Sequence, residues 1–278
     1  MAEEQSESWL AAAAADQPVQ IDTTVAHPAR VYDYWLGGKD NFAADREAAE
    51  RVLAVTPGLR FRVRANRAFL ARVVRYLAAE AGIRQFLDIG TGIPTANNTH
   101  EVAQAAAPDA RIVYVDNDPI VLAHAKALLA SSPEGTTQYI DGDLRKPAPI
   151  LQEAARTLDF TQPTALMLLG ILHLIQDSED PYRIVAELMD ALPSGSYLAI
   201  SHPASDIHVA AQAEAQKRYN ERVSTPQTMR NRAEVTRFFD GLDLVPPGVV
   251  YVHEWRPDPG DVPPADGVSA HGGVARKP

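Results

Sequence analysis

The chain has 278 residues, no cysteine, and a formal net charge of −10 from 26 basic and 36 acidic side chains. The missing cysteine excludes disulfides, zinc ribbons, iron–sulfur clusters and thiolate catalysis, and the acidic balance argues against a broad nucleic-acid-binding face. No run of about 18 apolar residues occurs, so no spanning helix is expected. The start, MAEEQSESWL, is acidic and lacks the basic region of a signal peptide, which makes a cytoplasmic protein the expectation.

Residues 1–20 read as a flexible N-terminus with a short alanine run, and 21–84 as a helical region. Gln85 to Ile89 reads as a first strand. A helix is predicted over Asn97 to Ala107, capped by Asn97 or Asn98 and stopped by Pro108. Arg111 to Val115 is a second, doubly buried strand. Pro119 opens a predicted helix over Ile120 to Ala130. Thr136 to Ile140 reads as strand, Ala148 to Thr157 as helix, and Ala165 to Leu169 as a fourth, wholly apolar strand. Asp180 caps a helix that starts at Pro181 and runs to Ala191. Gly195 to Ser201 is a fifth strand; Ser205 to Tyr219 and Ala233 to Phe239 read as helical. Leu242 to Val245 and Val249 to Trp255 are the sixth and seventh strands, too closely spaced to be joined by a parallel crossover. From 257 to 278 the chain is rich in Pro, Gly, Ala and Asp and reads as a disordered tail. The pattern predicts an α/β fold: a seven-stranded, mostly parallel sheet with helices on both faces, an N-terminal helical extension, and a core over 85–256.

In such sheets ligands bind at the carboxyl ends of the strands. There the sequence places Asp88 with Gly90 and Gly92, then Asp116, Asn117 and Asp118, then Asp143 and Leu144, then Gly170 and His173, then His202. Glycines let the backbone turn and approach a ligand closely. A carboxylate after the second strand accepts hydrogen bonds from ribose hydroxyls, whereas Asp118 before Pro119 reads as a helix cap. Two nucleoside cofactors compete. A dinucleotide needs a third glycine, and Thr95 stands in its place; Asp88 would repel a phosphate there. S-adenosylmethionine carries no phosphate and has a cationic amino group, which suits Asp88.

The run Phe86-Leu87-Asp88-Ile89-Gly90-Thr91-Gly92, with Asp116 and Asp143-Leu144, resembles the Rossmann-like class I S-adenosylmethionine-dependent methyltransferases. Ala29-Arg30-Val31-Tyr32-Asp33-Tyr34-Trp35-Leu36-Gly37-Gly38-Lys39-Asp40-Asn41-Phe42 resembles more specifically the opening signature of the actinobacterial S-adenosyl methyltransferase family once called DUF574. Asn66-Arg67-Ala68-Phe69-Leu70, Val115-Asp116-Asn117-Asp118-Pro119 and Leu172-His173 match that family too, and the likeness covers about residues 20–255. It implies S-adenosyl-L-methionine as cofactor, with Asp88, Gly90 and Gly92 at the methionine end and Asp116 on the ribose. Asn117 then lies beside the adenine, Asp143 accepts from the adenine amino group, and the Leu144 backbone meets a ring nitrogen.

Tyr34 to Phe42 packs aromatics, two glycines and a lysine together. It reads either as a turn between helices or as a lid in which Gly37, Gly38 and Lys39 approach the cofactor's carboxylate. Of the arginines between 60 and 75, Arg72 and Arg75 read as a solvated face, and Arg64 and Arg67 as candidates for a carboxylate or an anionic substrate. A base is needed only when the acceptor holds its proton; His173 is the first candidate, with Tyr34 and His202 behind it. No amide-methylating Asn-Pro-Pro-Tyr-like motif follows the fourth strand, and no cysteine is present for pyrimidine C5 chemistry. The expectation is a methyltransferase for a small-molecule acceptor, with no nucleic acid, membrane or metal. A non-catalytic cofactor-binding protein and a nicotinamide-dependent oxidoreductase are the alternatives.

Overall fold

The structure, a computed structural model, describes residues 21–56, 58–94, 97–121, 132–223, 225–260 and 268–278. Among the described residues three helices come first: α1 Pro28–Leu36, α2 Ala43–Leu53 and α3 Leu59–Arg75, the last continuing in a wider turn over Tyr76–Glu80. The glycines after α1 are a helix terminus. Gly37 is the left-handed C-cap at φ 90°, its N–H donating to Asp33 O and Tyr34 O, where only glycine sits without strain. At Gly38 an added Cβ would fall 1.9 Å from the Asp33 carboxylate, which accepts from Asp40 N and Asn41 Nδ2.

Strands and helices then alternate. They are β1 Gln85–Ile89, α4 Thr99–Ala106, β2 Arg111–Asp116, β3 Thr136–Asp141, α5 Pro147–Ala154, β4 Ala165–Leu169, α6 Pro181–Asp190, β5 Tyr197–Pro203, α7 Val209–Asn220, α8 Arg232–Thr236, β6 Asp243–Leu244, β7 Val250–Tyr251 and β8 Ala270–Arg276. The helix signals operate as the sequence suggests. Asn98 caps α4, with Glu101 Oε2 accepting from Asn98 N, and Asp180 caps α6 with Pro181 at the first position. Thr95 and most of the predicted helix over Ile120 to Ala130 lie outside the described residues, as does the N-terminus 1–20.

The sheet runs β3-β2-β1-β4-β5-β8-β6, with β7 also on β8. Five strands are parallel; β8 is antiparallel to β5, with Tyr197 opposite Arg276 and Pro203 opposite Ala270. Alternate side chains feed two cores. Leu87, Ile89, Val113, Leu166, Leu168, Leu198 and Ile200 face α5 and α6. Phe86, Ile112, Tyr114, Met167 and Ala199 meet Phe69, Val73 and Leu77 of the α3 region and Ala103 of α4. A third cluster joins α1, α2 and the start of α3 to Ala215 and Tyr219 of α7.

Three expectations need correction. The disordered tail contains β8, which lies between β5 and the short β6 and β7, so the core does not end at 256. Its small residues are required by packing. A Cβ at Gly272 would come 2.8 Å from Phe69 Cζ and 2.9 Å from Val252 Cγ1, and one at Gly273 would come 3.0 Å from Val249 Cγ2. Low hydrophobicity there reflects a crowded strand, not an exposed one. The predicted sixth and seventh strands shrink to two residues each, because β8 takes the place beside β5. Arg72 is not on a solvated face: it is 5% exposed and donates to Trp255 O at 3.0 Å and Val252 O at 2.7 Å. Arg75, exposed, pairs with Asp258 as a surface residue would.

Candidate active site

The strand order reverses between β1 and β4, which opens a crevice beyond their carboxyl ends. A cleft of about 1180 Å³, counted out to its open mouth, lies there. Its walls include Asp88, Gly90, Gly92, Asp116, Asn117, Asp143, Leu144, Arg67 and His173. Nine of the expected site residues are thus brought together by four strand ends and α3.

Asp88 ends β1 on the face toward α3 and α4, where Thr99 Oγ1 donates to its Oδ2 at 2.6 Å. Burial pushes its carboxyl from 3.8 up to about 6, against the Thr99 hydrogen bond and the charge of Arg67. Arg67 also ties the loop after β1, donating to Asn97 O at 3.0 Å. Asp116 holds the glycine turn: its Oδ2 accepts from Gly92 N at 2.8 Å, and its Oδ1 from Asn117 N and Asp118 N. Burial raises its carboxyl as well, despite those N–H donors. Gly90 at φ 78° sits against the turn after β4, where an added Cβ would come 2.6 Å from Ile171 Cβ. At Gly92, φ 66°, an added Cβ meets nothing within 4 Å, so the backbone there borders open space. Asp143 Oδ1 accepts from Arg145 N, and Arg145 is anchored to Glu179 Oε1 and Leu174 O.

His173 lies in a short turn after β4, and its Nδ1 is buried with no hydrogen-bond partner. Burial, and then the charges of His202, Arg62 and Arg230, hold its pKa well below 6.5. The ring is neutral at neutral pH and a weaker base than a free imidazole, which counts against the expected role as general base. His202 is engaged elsewhere: its Nδ1 faces Pro203 O at 2.9 Å and its Nε2 faces Arg230 Nη1 at 3.0 Å. Arg230 also donates to Leu172 O and Ile175 O, pinning the turn that carries His173.

The rest of the expected lid is not at the cleft. Tyr34 points away from it, its hydroxyl donating to Glu50 Oε1 at 2.5 Å, and that bond raises its pKa. Lys39 is exposed, and Gly37 and Gly38 serve the helix terminus. The signature reaches the cleft through its other face: Pro28, Tyr32 and Trp35 line it, together with His27 and Ala29. Positions 28, 32 and 35 are steps of four and three, one helical face, and that spacing was the available signal. His27 adds a strap: its Nδ1 lies 2.7 Å from Asp118 Oδ2, at the end of β2. Burial raises the Asp118 carboxyl, but the His27 hydrogen bond and charge outweigh this and lower it overall. Asp118 is a cap as expected, its Oδ1 accepting from Ile120 N. Arg64 is exposed and does not line the cleft. Asn66, Tyr219 and Gln227 complete the wall, and nothing in their local sequence marked Tyr219 or Gln227. Among the described residues, no group of three or more His, Asp or Glu side chains forms a metal site.

The donor set suits S-adenosylmethionine. Asp88 is a buried carboxylate that could accept from a cationic amino group, Asp116 at the end of β2 could accept from a diol, and the backbone at Gly92 borders open space. A mixed α/β sheet with acidic residues at three successive strand ends is the arrangement expected of an S-adenosylmethionine-dependent methyltransferase, and comparison with known proteins establishes that class. The chain belongs to the S-adenosyl methyltransferase family, whose model matches residues 14–278. It is 48% identical to a DUF574 family protein from Streptomyces avermitilis, with a TM-score of 0.90 over 93% of this chain and 100% of the other. It is 42% identical to a Thermobifida fusca protein solved as a candidate methyltransferase, with a TM-score of 0.84 over 95% and 99% of the two chains. An O-methyltransferase family protein from Burkholderia thailandensis shares the fold at 13% identity and a TM-score of 0.52, over 81% of this chain and 61% of that one. A comparison with curated proteins found no match. Family membership sets the nicotinamide alternative aside. No helix among the described residues is long and apolar enough to cross a membrane.

Proposed function

We propose that this methyltransferase acts on a small molecule held in the half of the cleft beneath α1. The observation that carries this reading is the division of the cleft. Asp88, Asp116 and Asp143 occupy the side of β1, β2 and β3. Tyr32, Trp35, Tyr219 and His173 line the side of β4 under the N-terminal helices. A wall of helices over an aromatic compartment suits a compact acceptor.

S-adenosylmethionine, when bound, supplies a methyl group on a positively charged sulfur that needs no further activation. The work of the protein is to hold and orient. Asp88 would accept from the cofactor's amino group, Asp116 from the ribose hydroxyls and Asp143 from the adenine amino group, with Asn117 and the Leu144 backbone beside the ring. Tyr32 and Trp35 exclude water over the reacting centre, which together with orientation supplies several kcal/mol. His173, kept neutral by burial, offers a ring nitrogen as a hydrogen-bond acceptor that orients the methyl acceptor; with its pKa held well below 6.5 it is too weak a base to carry the proton away.

Transfer of an isotope-labelled methyl group to a cell extract, fractionated by size, tests this. Label is expected in the low-molecular-mass fraction. Label confined to protein or nucleic acid overturns the small-molecule assignment, and S-adenosylhomocysteine binding without any transfer favours a non-catalytic binding protein.

A further inference from the structure

Among the described residues that line the cleft, two side chains carry a buried polar atom with no partner: Asn66 at Oδ1 and His173 at Nδ1. Both belong to the half under α1, beside β4. The arginines of the wall are engaged toward the other half. Arg67 donates to Asn97 O at 3.0 Å, and Arg145 pairs with Asp143 and Glu179.

The amide of Asn66 sits between two other parts of the same wall. Its Nδ2 donates to the Tyr32 hydroxyl at 3.1 Å, and a Cβ on Gly170, just past the end of β4, would come 3.4 Å from that nitrogen. What Tyr32 does next fixes which way the amide points. The Tyr32 O–H donates to Val63 O at 3.3 Å. Its oxygen is then left only to accept, and the group that meets it must be the amide NH2. Oδ1 is the atom left over. It can accept and cannot donate, and burial without a donor is costly until something supplies one. The wall around it is aromatic and apolar: Trp35 and Tyr219 have ring centroids 6.2 Å apart, with Tyr32, Leu70 and Ile175 beside them. A molecule that completes this half brings flat apolar surface, no charge, and an O–H or N–H.

Building on the methyl-transfer reading, we infer that the acceptor is an uncharged ring compound whose O–H or N–H donates to Asn66 Oδ1. Asn66, held in that orientation by Tyr32, is then the residue that selects it over analogues whose donor is blocked. A site that accepts such a bond rejects the analogue lacking it, because its own oxygen stays buried and unpaired.

The test uses the full chain saturated with S-adenosylhomocysteine. 2-Naphthol and indole are titrated calorimetrically, each against the compound with its donor methylated, 2-methoxynaphthalene and 1-methylindole. At least one donor compound is expected to bind about tenfold or more tighter than its methylated counterpart. Asn66→Leu is expected to abolish that preference and to leave S-adenosylhomocysteine affinity little changed. Tyr32→Phe keeps the ring and frees the amide to turn, so that Nδ2 can donate to the ether oxygen; it is expected to cut the naphthol preference by about threefold or more. Equal binding within both pairs, no binding of either donor compound, a preference that survives Asn66→Leu, or loss of S-adenosylhomocysteine binding by a folded Asn66→Leu protein overturns the inference. Should Asn66→Leu fail to fold, the wild-type pairs and Tyr32→Phe decide alone. Failure of wild-type protein to bind S-adenosylhomocysteine would instead overturn the methyl-transfer reading.

Discussion

Replacing Asp88 by Asn is expected to stabilise the cofactor-free protein while weakening its hold on the cofactor. The carboxyl is 5% exposed and its pKa rises from 3.8 to about 6, chiefly through burial. A folded-state value above the unfolded one means that ionisation opposes folding. The penalty is complete above about pH 6, shrinks as pH falls, and is gone below 3.8. At about 1.4 kcal/mol for each tenfold change in proton affinity, it approaches ~3 kcal/mol at pH 8. Asn carries no charge and keeps an oxygen for the Thr99 hydroxyl, so a gain of about 1–3 kcal/mol is expected at pH 8. In a domain of this size that raises Tm by roughly 2–10 °C. On the proposed role of Asp88, the same change removes a charge-assisted partner of the cofactor's amino group and should weaken S-adenosylhomocysteine by about 1.5–3 kcal/mol. Thermal unfolding followed by circular dichroism at pH 8, 6 and 4, with calorimetric titration at pH 8, measures both. The advantage of Asp88→Asn should fade toward pH 4. A lower Tm than wild type at pH 8, or an advantage that does not depend on pH, would refute the argument.

Asp116→Ala should weaken S-adenosylhomocysteine by about 1–3 kcal/mol in calorimetry, because it removes both the ribose acceptor and the acceptor of three backbone N–H groups; unchanged affinity rejects the ribose role. Gly90→Val should abolish binding by driving into Ile171 and displacing the turn that carries His173, so wild-type affinity in a folded variant would place the cofactor elsewhere. Arg72→Met should lower stability in urea unfolding by about 2–4 kcal/mol through two carbonyls left buried and unpaired, whereas Arg75→Met should cost less than about 0.5 kcal/mol; equal effects would show that the two are not so differently placed. Gly272→Val should destabilise by about 1–3 kcal/mol through collision with Phe69 and Val252, and a neutral result would mean that β8 packs less tightly than its distances indicate.

The centre of the sheet was legible because its chemistry is local. Ala165 to Leu169 is a continuous apolar run, Gln85 to Ile89 is a short stretch bounded by Gly90, and acids or glycines lie at or just past the strand ends. What sequence could not supply was direction and distance. Tyr34 and Tyr32 are equally aromatic, but two residues along a helix place them on opposite sides, and only Tyr32 faces the cleft. Arg62, Arg64 and Arg72 share a composition and differ in what packs above them: α7 and the chain before β8 for Arg62, solvent for Arg64, and the carbonyls of Val252 and Trp255 for Arg72. Strand β8 was hidden for the same reason. Its glycines look like a flexible tail until Phe69, just over two hundred residues earlier in the chain, is seen to need the room.

The position of β8 has a consequence for how the molecule comes into being. Among the described residues β6 and β7 pair with no strand other than β8, and β5 has β8 as its second neighbour. During synthesis, a nascent chain that has not yet reached residue 270 therefore carries β5 as an unpaired edge and has nothing to hold β6 or β7. The cofactor-side strands β1 to β4 can assemble as soon as they emerge, but the sheet closes only through contacts made across the whole length of the polypeptide. Such long-range pairing is slow, and an open apolar edge is where chains join one another instead. Occupation of that edge by helper proteins, or by a neighbouring copy, is a hazard confined to the interval before the final strand arrives.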